Sequence, residues 1–404
     1  MKERPGLRRA AFLWCALASV AGCATVAPDL PDAAASASPA TARPGTLIAV
    51  EPLRRLTRAE ASLNLWLAGI DGAVPAGAAD CYRVRYWSAT HDGRPIVASG
   101  LLALPVDAGV RGILSYQHGV STEHRDVPSS LRIEGTLAAI ALASEGLAVL
   151  APDYQGLGES DGPHPFLHAA SEANDVRYLL EALRLQLPAG VPLLLAGFSQ
   201  GGHATMAALH ALEVEAKVEV DGVIIVAGAM HIATNGLARA LSGEAPNAVV
   251  YLAYMVTGYA HVYGQPLESV LDAAVVPLVR SAMDGHHDSA RIRAALLVQP
   301  REMFLPGFLD AWDHGRPHWL LDALRANEVT HWAPRAPVLL LYGDHDTVVP
   351  PEEARSAAAE LRERGALADA MSVGPVGHED SVRRAIPVLL QWLRSRLQRA
   401  EDRP

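Results

Sequence analysis

Cysteine is almost missing from this chain, with three in 404 residues, and that rules out a disulfide scaffold. Basic residues are outnumbered: 34 Lys and Arg against 44 Asp and Glu leave a net charge of −10. No basic stripe exists to meet phosphates, which excludes a nucleic-acid partner. The apolar stretches Ala10–Ala21 and Val249–Val256 are both too short to span a bilayer. No repeat of solenoid length is present. The glycine-rich segment Pro152-Asp153-Tyr154-Gln155-Gly156-Leu157-Gly158 lacks the Lys and Ser/Thr of a phosphate loop, and is expected to shape a pocket edge. Two acidic and histidine clusters, Asp344-His345-Asp346 and His286-His287-Asp288, have no second ligand set at defined spacing. Neither a metal nor a cofactor is expected.

What the chain does contain begins with Lys2, Arg4, Arg8 and Arg9 ahead of the apolar Ala10–Ala21, the pattern of a secretory signal. The stretch closes on Val20-Ala21-Gly22-Cys23, which resembles the lipobox of bacterial lipoproteins. That resemblance implies a signal over residues 1–22 and acyl chains on Cys23. It further implies an exported protein held on the periplasmic or cell-surface side of a membrane by this lipid anchor. An ordinary signal cut after Ala27, discarding Cys23, is the alternative. Residues 23–50, rich in Ala, Pro and Ser, then form a flexible tether. With Cys15 and Cys23 so assigned, Cys81 stands alone. It is expected to be a small buried hydrophobe rather than a reactive thiol.

Half of the residues are hydrophobic, enough for a sizeable core. A helical patch over Thr57–Ala68 is followed by two strands, Tyr82–Ser88 and Ile96–Leu104, with Asp92-Gly93 as hairpin chemistry between them. Next come compact apolar runs without alternation: Gly112–Tyr116, Leu147–Ala151, Leu193–Leu195, Val223–Val226 and Val338–Leu341. Such runs suit strands buried on both faces of a parallel sheet. Helix-period stretches lie between them, the best placing Val176, Leu179, Leu180, Leu183 and Leu187 on one stripe. Strands alternating with helices predict a doubly wound, mostly parallel sheet built from residues 51–230 and 336–400. The last helix, with Ile386, Leu389, Leu390, Leu393 and Leu397 on one face, is expected to begin near Pro387. Residues 231–335 are too long for a crossover and read as an inserted helical cap. In it, Val249–Val256 is either cap core or a wall for an acyl chain.

The chemistry concentrates at Leu193-Leu194-Leu195-Ala196-Gly197-Phe198-Ser199-Gln200-Gly201-Gly202. A strand drives into Gly-x-Ser-x-Gly, and a helix-compatible segment from His203 to about Glu213 follows. This is a nucleophile elbow, a sharp turn that thrusts a serine hydroxyl out at the top of a sheet. Serine needs a base to take its proton, and the base needs an orienting acid. After such an elbow the acid follows a late strand and the histidine lies near the C-terminus. The turn after Val338–Leu341 offers Asp344 and Asp346; the later loop Val373–Asp380 offers His378. An oxyanion hole would use the backbone N–H of Gln200 and that of Gly119 or Val120, in the loop after Gly112–Tyr116. His118 is expected to brace that loop.

Together these features resemble the α/β-hydrolases, and more narrowly the secretory lipase family of microbial esterases. The narrower likeness rests on Tyr116-Gln117-His118-Gly119, Asp153–Gly158, Gly197–Ala204 and the long insertion before the acid, over roughly Asp80–Leu397. The resemblance implies a cofactor-free carboxylic ester hydrolase that works through an acyl-serine, with Ser199, Asp346 and His378 as triad. It selects Asp346 because Gly-x-x-Asp-x-x-Val-Pro is the superfamily's spacing; Asp344 is the runner-up. An acyltransferase or peptidase on the same triad, and a tethered binding protein on a hydrolase scaffold, are the other readings. Every triad member being present disfavours the last. Acyl-chain length, natural substrate and oligomeric state are not encoded in any motif.

Overall fold

Why the apolar runs do not alternate is plain in the computed structural model, which describes residues 42–70, 75–106, 108–132 and 142–401. Five of them are the interior strands β4 (Gly112–Gln117), β5 (Leu147–Pro152), β6 (Leu193–Phe198), β7 (Gly222–Val226) and β8 (Val338–Tyr342), parallel to one another. With helices on both faces, both side-chain rows are buried. The edges complete nine strands among the described residues: β1 (Leu47–Leu56), β2 (Ala79–Ala89), β3 (Pro95–Pro105) and β9 (Ala368–Ser372). The order is β1-β2-β3-β5-β4-β6-β7-β8-β9, with β1, β2 and β3 pairing antiparallel, as does β3 with β5.

The β2–β3 hairpin turns through Gly93 at φ 84°, as the Asp-Gly pair requires. The helical patch is α1 (Arg58–Leu67), capped by Thr57 and Glu60 in a reciprocal capping box. Helix α2 (Ala169–Leu183) buries Val176, Leu179 and Leu183 against the sheet.

Two boundaries differ from the sequence reading. The composition places Leu47–Val50 in the tether, but strand β1 starts at Leu47, with Ala49 and Val50 buried against β2. Its Pro52 is tolerated because β1 is an edge strand and the register shifts there. The last helix, α11 (His378–Glu401), starts nine residues before Pro387 and runs through it. The ring costs about 3 kcal/mol inside a helix. Burial of Ile386, Leu389, Leu393 and Leu397 on the sheet, at roughly 1.5–3 kcal/mol each, outweighs it.

Between β7 and β8 lies a helical insertion, whose longest member is α5 (Ala248–Val262). It has a core of its own, centred on Leu252, Val256, Tyr259, Phe308, Leu320 and Leu324. Both of its joints with the sheet domain are pinned by buried glutamates. Glu353, on α10 (Pro351–Glu363), accepts from the backbone N–H of Met230 (2.8 Å) and of His231. Glu213 accepts from the N–H groups of Arg335 and Ala336, both at 2.8 Å. The expected signal, Cys23 and most of the tether lie outside the described residues. Among the described residues no helix is long and apolar enough to cross a membrane.

Candidate active site

Ser199 stands between β6 and α3 (Gln200–His210) at φ 56° and ψ −117°, a conformation that L-residues avoid. The flanking glycines make it possible. A Cβ on Gly197 would strike the Gly201 carbonyl, and one on Gly201 would strike the carbonyl of Gln117. The turn is fixed by Ser199 N–H donating to Val226 (3.0 Å) and Gly202 N–H donating to Ser199 (2.9 Å). The elbow therefore sits where β6 adjoins β4, the point at which the chain order of the sheet reverses and ligand crevices form.

Of the two aspartates after β8, Asp346 turns inward and is buried. Its Oδ1 accepts from the N–H groups of Val348 (2.8 Å) and Val349 (2.9 Å), and its Oδ2 from His378 Nδ1 at 2.7 Å. Asp344 is exposed and accepts from Ser372 Oγ at 2.8 Å. His378, the first residue of α11, packs on Phe198 at 4.9 Å between ring centroids. Since Asp346 only accepts, the ring proton lies on Nδ1, and Nε2 accepts a hydrogen bond from the Ser199 hydroxyl at 2.9 Å. The structure thus brings together Ser199, His378 and Asp346, and leaves Asp344 outside.

The secretory lipase family matches residues 126–402, most of the chain. The chain belongs to the secretory lipase family. With the family comes its chemistry, hydrolysis of carboxylic esters, and its secretory character is in keeping with an exported protein. Solved structures agree on the fold. A protein of Legionella pneumophila is 26% identical, with 88% of this chain and 97% of that one covered, at a TM-score of 0.77. A mutant of the rice cell wall degrading esterase LipA from Xanthomonas oryzae is 23% identical over 88% and 100%, with a TM-score of 0.78. Candida antarctica lipase A in its closed state is 16% identical over 92% and 86%, with a TM-score of 0.69. No curated protein sequence matches the chain.

Beside Ser199 this secretory lipase builds an apolar cavity of about 110 Å³. Ser199, Gln200 and Val120 lie at one side; Phe166, Leu237, Leu252 and Met255 form walls, the last two from α5. The run Val249–Val256 thus divides between insertion core, through Val250 and Val256, and cavity wall, through Leu252 and Met255. Polar groups also line the cavity: His231, Glu353, Asn235 and Arg239. Val120, not Gly119, reaches the cavity wall, while Gly119 packs over Phe198. As the first residue of α3, Gln200 has a backbone N–H without an intrahelical partner.

His118 does brace its loop. It is buried, its Nδ1–H donates to Gly119 O at 2.7 Å, and its ring stacks on Tyr154 at 4.3 Å. Burial depresses its pKa to about 3, so it is neutral. The turn Pro152–Gly158 does not edge the Ser199 cavity. It props the His118 loop instead: Tyr154 Oη–H donates to His118 O at 3.2 Å, and Gly156 and Leu157 line a separate cavity of about 270 Å³. Cys81 is buried, which pushes its thiol up to about 12 and keeps it from acting as a nucleophile at neutral pH. Among the described residues no group of three or more His, Cys, Asp and Glu could hold a metal ion.

Sequence reasoning missed a second set of buried polar side chains behind the elbow: His164, Glu172, His203 and Asn327. The only signal was His203 itself, in the first turn of the helix that follows Ser199.

Proposed function

We propose that this lipase cleaves carboxylic esters through an acyl-serine on Ser199. The hydroxyl oxygen attacks the ester carbonyl while His378 Nε2 takes its proton. The same ring then delivers that proton to the departing alkoxide. Water, deprotonated by His378, releases the acid in the second half. Asp346 holds the imidazole in the correct tautomer and stabilises its charged form. The backbone N–H groups of Gln200 and of Val120 or Gly119 receive the oxyanion. The observation that carries this reading is the unbroken hydrogen-bonded chain from Asp346 through His378 to Ser199, at 2.7 and 2.9 Å. The apolar walls of the adjoining cavity favour an acyl group over a peptide.

Ser199→Ala should lower ester turnover by on the order of 10⁶-fold with folding intact. A fluorophosphonate probe should label Ser199 in the wild type and nothing in the variant. Turnover near the wild-type rate in Ser199→Ala, or labelling at another residue, overturns the reading. We further propose that Cys23 carries the lipid anchor. Metabolic labelling with a fatty acid should mark the wild type and not Cys23→Ser; equal labelling of both, or of neither, rejects it.

A further inference from the structure

We propose that Glu172 and His203 form a buried positioning pair that holds Gln200, and with it the oxyanion N–H, and that ties this N–H to the seating of the helical insertion. This inference rests on the acyl-serine reading above.

The side chains concerned are almost without solvent: Glu172 is 1% exposed, His203 0%, Gln200 2% and His164 3%. Their donors and acceptors admit one arrangement. His164 Nδ1 lies 2.7 Å from the carbonyl of Gln155, which only accepts, so the proton is on Nδ1 and Nε2 is an acceptor. Burial lowers the pKa of this ring, in agreement with a neutral tautomer. Gln200 Nε2 then donates one proton to His164 Nε2 (2.7 Å) and the other to Glu172 Oε1 (2.8 Å). A flipped amide would set its oxygen against a carboxylate and a ring lone pair. The orientation is therefore fixed, and it is held although Gln200 Oε1 has no hydrogen-bond partner among the described residues.

Glu172 Oε2 meets His203 Nδ1 at 2.6 Å, and His203 Nε2–H donates to the carbonyl of Asn327 at 2.7 Å. One proton is shared between Glu172 and His203, so neither stands as an uncompensated buried charge. Asn327 follows α9 (Trp319–Ala326), the last helix of the insertion. Its own side chain accepts from Ala169 N–H at the start of α2 (2.8 Å) and donates to Tyr263 Oη (2.9 Å). A relay of three hydrogen bonds therefore runs from the insertion, through His203 and Glu172, to the residue after the nucleophile. The triad has no use for any of these groups. A network this buried next to Ser199 restrains the peptide that presents the Gln200 N–H, and such restraint acts where the oxyanion forms, not where substrate first binds.

The test is steady-state kinetics on a short-chain nitrophenyl ester with Gln200→Met, Glu172→Ala, Glu172→Gln and Asn327→Ala. Gln200→Met keeps the length and removes both donors. Losing an oxyanion donor outright costs about 10²–10³-fold, so a donor left in place but poorly aimed should cost roughly tenfold or more in kcat. KM should stay within about twofold, since the interaction arises in the transition state. Glu172→Ala should behave alike. Glu172→Gln can still accept from Gln200 and donate to His203, and should recover most of the kcat lost in Glu172→Ala. Asn327→Ala should lower kcat in the same sense. A Gln200→Met enzyme with wild-type kcat, or with raised KM and unchanged kcat, overturns the proposal. Asn327→Ala keeps the backbone carbonyl that accepts from His203 and removes the side-chain bonds that seat it, so unchanged kcat there would show that this seating does not reach Gln200. If Glu172→Ala does not fold, Gln200→Met with wild-type melting temperature decides alone. Failure of the parent reading looks different: Ser199→Ala would still turn over ester.

Discussion

At Ser199 the backbone is held at φ 56°, where a non-glycine residue costs about 1–3 kcal/mol. The conformation persists because β6, α3 and two glycines leave no other path for the chain. The same over-determination distinguishes the surroundings of the two aspartates. Asp346 spends one oxygen on two backbone N–H groups and keeps the other for His378, so the carboxylate is fixed before the imidazole arrives. Asp344 has only a surface serine. Asp346→Asn should therefore lower kcat by on the order of 10⁴-fold, since the amide favours the wrong imidazole tautomer. Asp344→Asn should stay within a few-fold, and equal losses in the two variants would refute the assignment. Ser199, Asp346 and His378 were readable because each is announced by its own strand-turn context. Glu172 was not: it lies on an ordinary amphipathic helix, and its meaning depends on His203, which is 31 positions away.

Elements whose role is local were legible, and those defined by a partner were not. Strands β4 to β8 show as unalternating runs because burial on two faces leaves that mark on each alone. Strand β1 carries Pro52 and Arg54 and becomes a strand only through β2. Strand β9, with sequence ADAMS, is a short edge that exists through β8. The joints of the insertion belong to the same class. His231 stands at the first joint with Glu353 on Nδ1 and Glu360 on Nε2, each at 3.1 Å. Burial opposes the charged ring, but the two carboxylates prevail and hold its pKa at about 9, above the ordinary 6.5. Glu353 shifts the other way, below 4.5: burial opposes its charge and the hydrogen bond from His231 favours it. A raised histidine pKa contributes stability in full below about pH 6.5, and loses it as pH rises through about 9. A lowered carboxyl contributes above its ordinary value and loses it in acid. The joint should thus be firmest from weakly acid to neutral pH. Thermal melts of wild type and His231→Gln should differ most between about pH 5 and 6.5, narrow above that, and converge by about pH 10. A gap that is constant across that interval would show that the ion pair does not set it.

For the whole molecule, the sheet carries Ser199 and the insertion supplies much of the cavity wall, so the fold could be foreseen while the shape of the pocket could not. Wall residues come from segments far apart in sequence: Phe166 from a loop before α2, Leu237 and Met255 from the insertion, Val349 from the aspartate turn. Their joint volume limits what acyl group this cavity could hold. An apolar cavity of about 150 Å³ holds a benzene ring, so one of about 110 Å³ admits roughly four to five carbons. The same cavity also presents Asn235, Arg239 and the His231–Glu353 pair, against which methylenes gain no burial. Each methylene that is buried contributes about 0.8 kcal/mol, or roughly fourfold in affinity. On nitrophenyl esters, kcat/KM should therefore climb by about that factor per methylene from acetate to butyrate, then level off or fall toward palmitate. Met255→Ala, which lengthens the apolar part of the cavity, should move the optimum to longer chains. A wild-type enzyme that turns over palmitate as efficiently as butyrate would mean that the insertion moves aside in solution and that the cavity does not select the acyl chain.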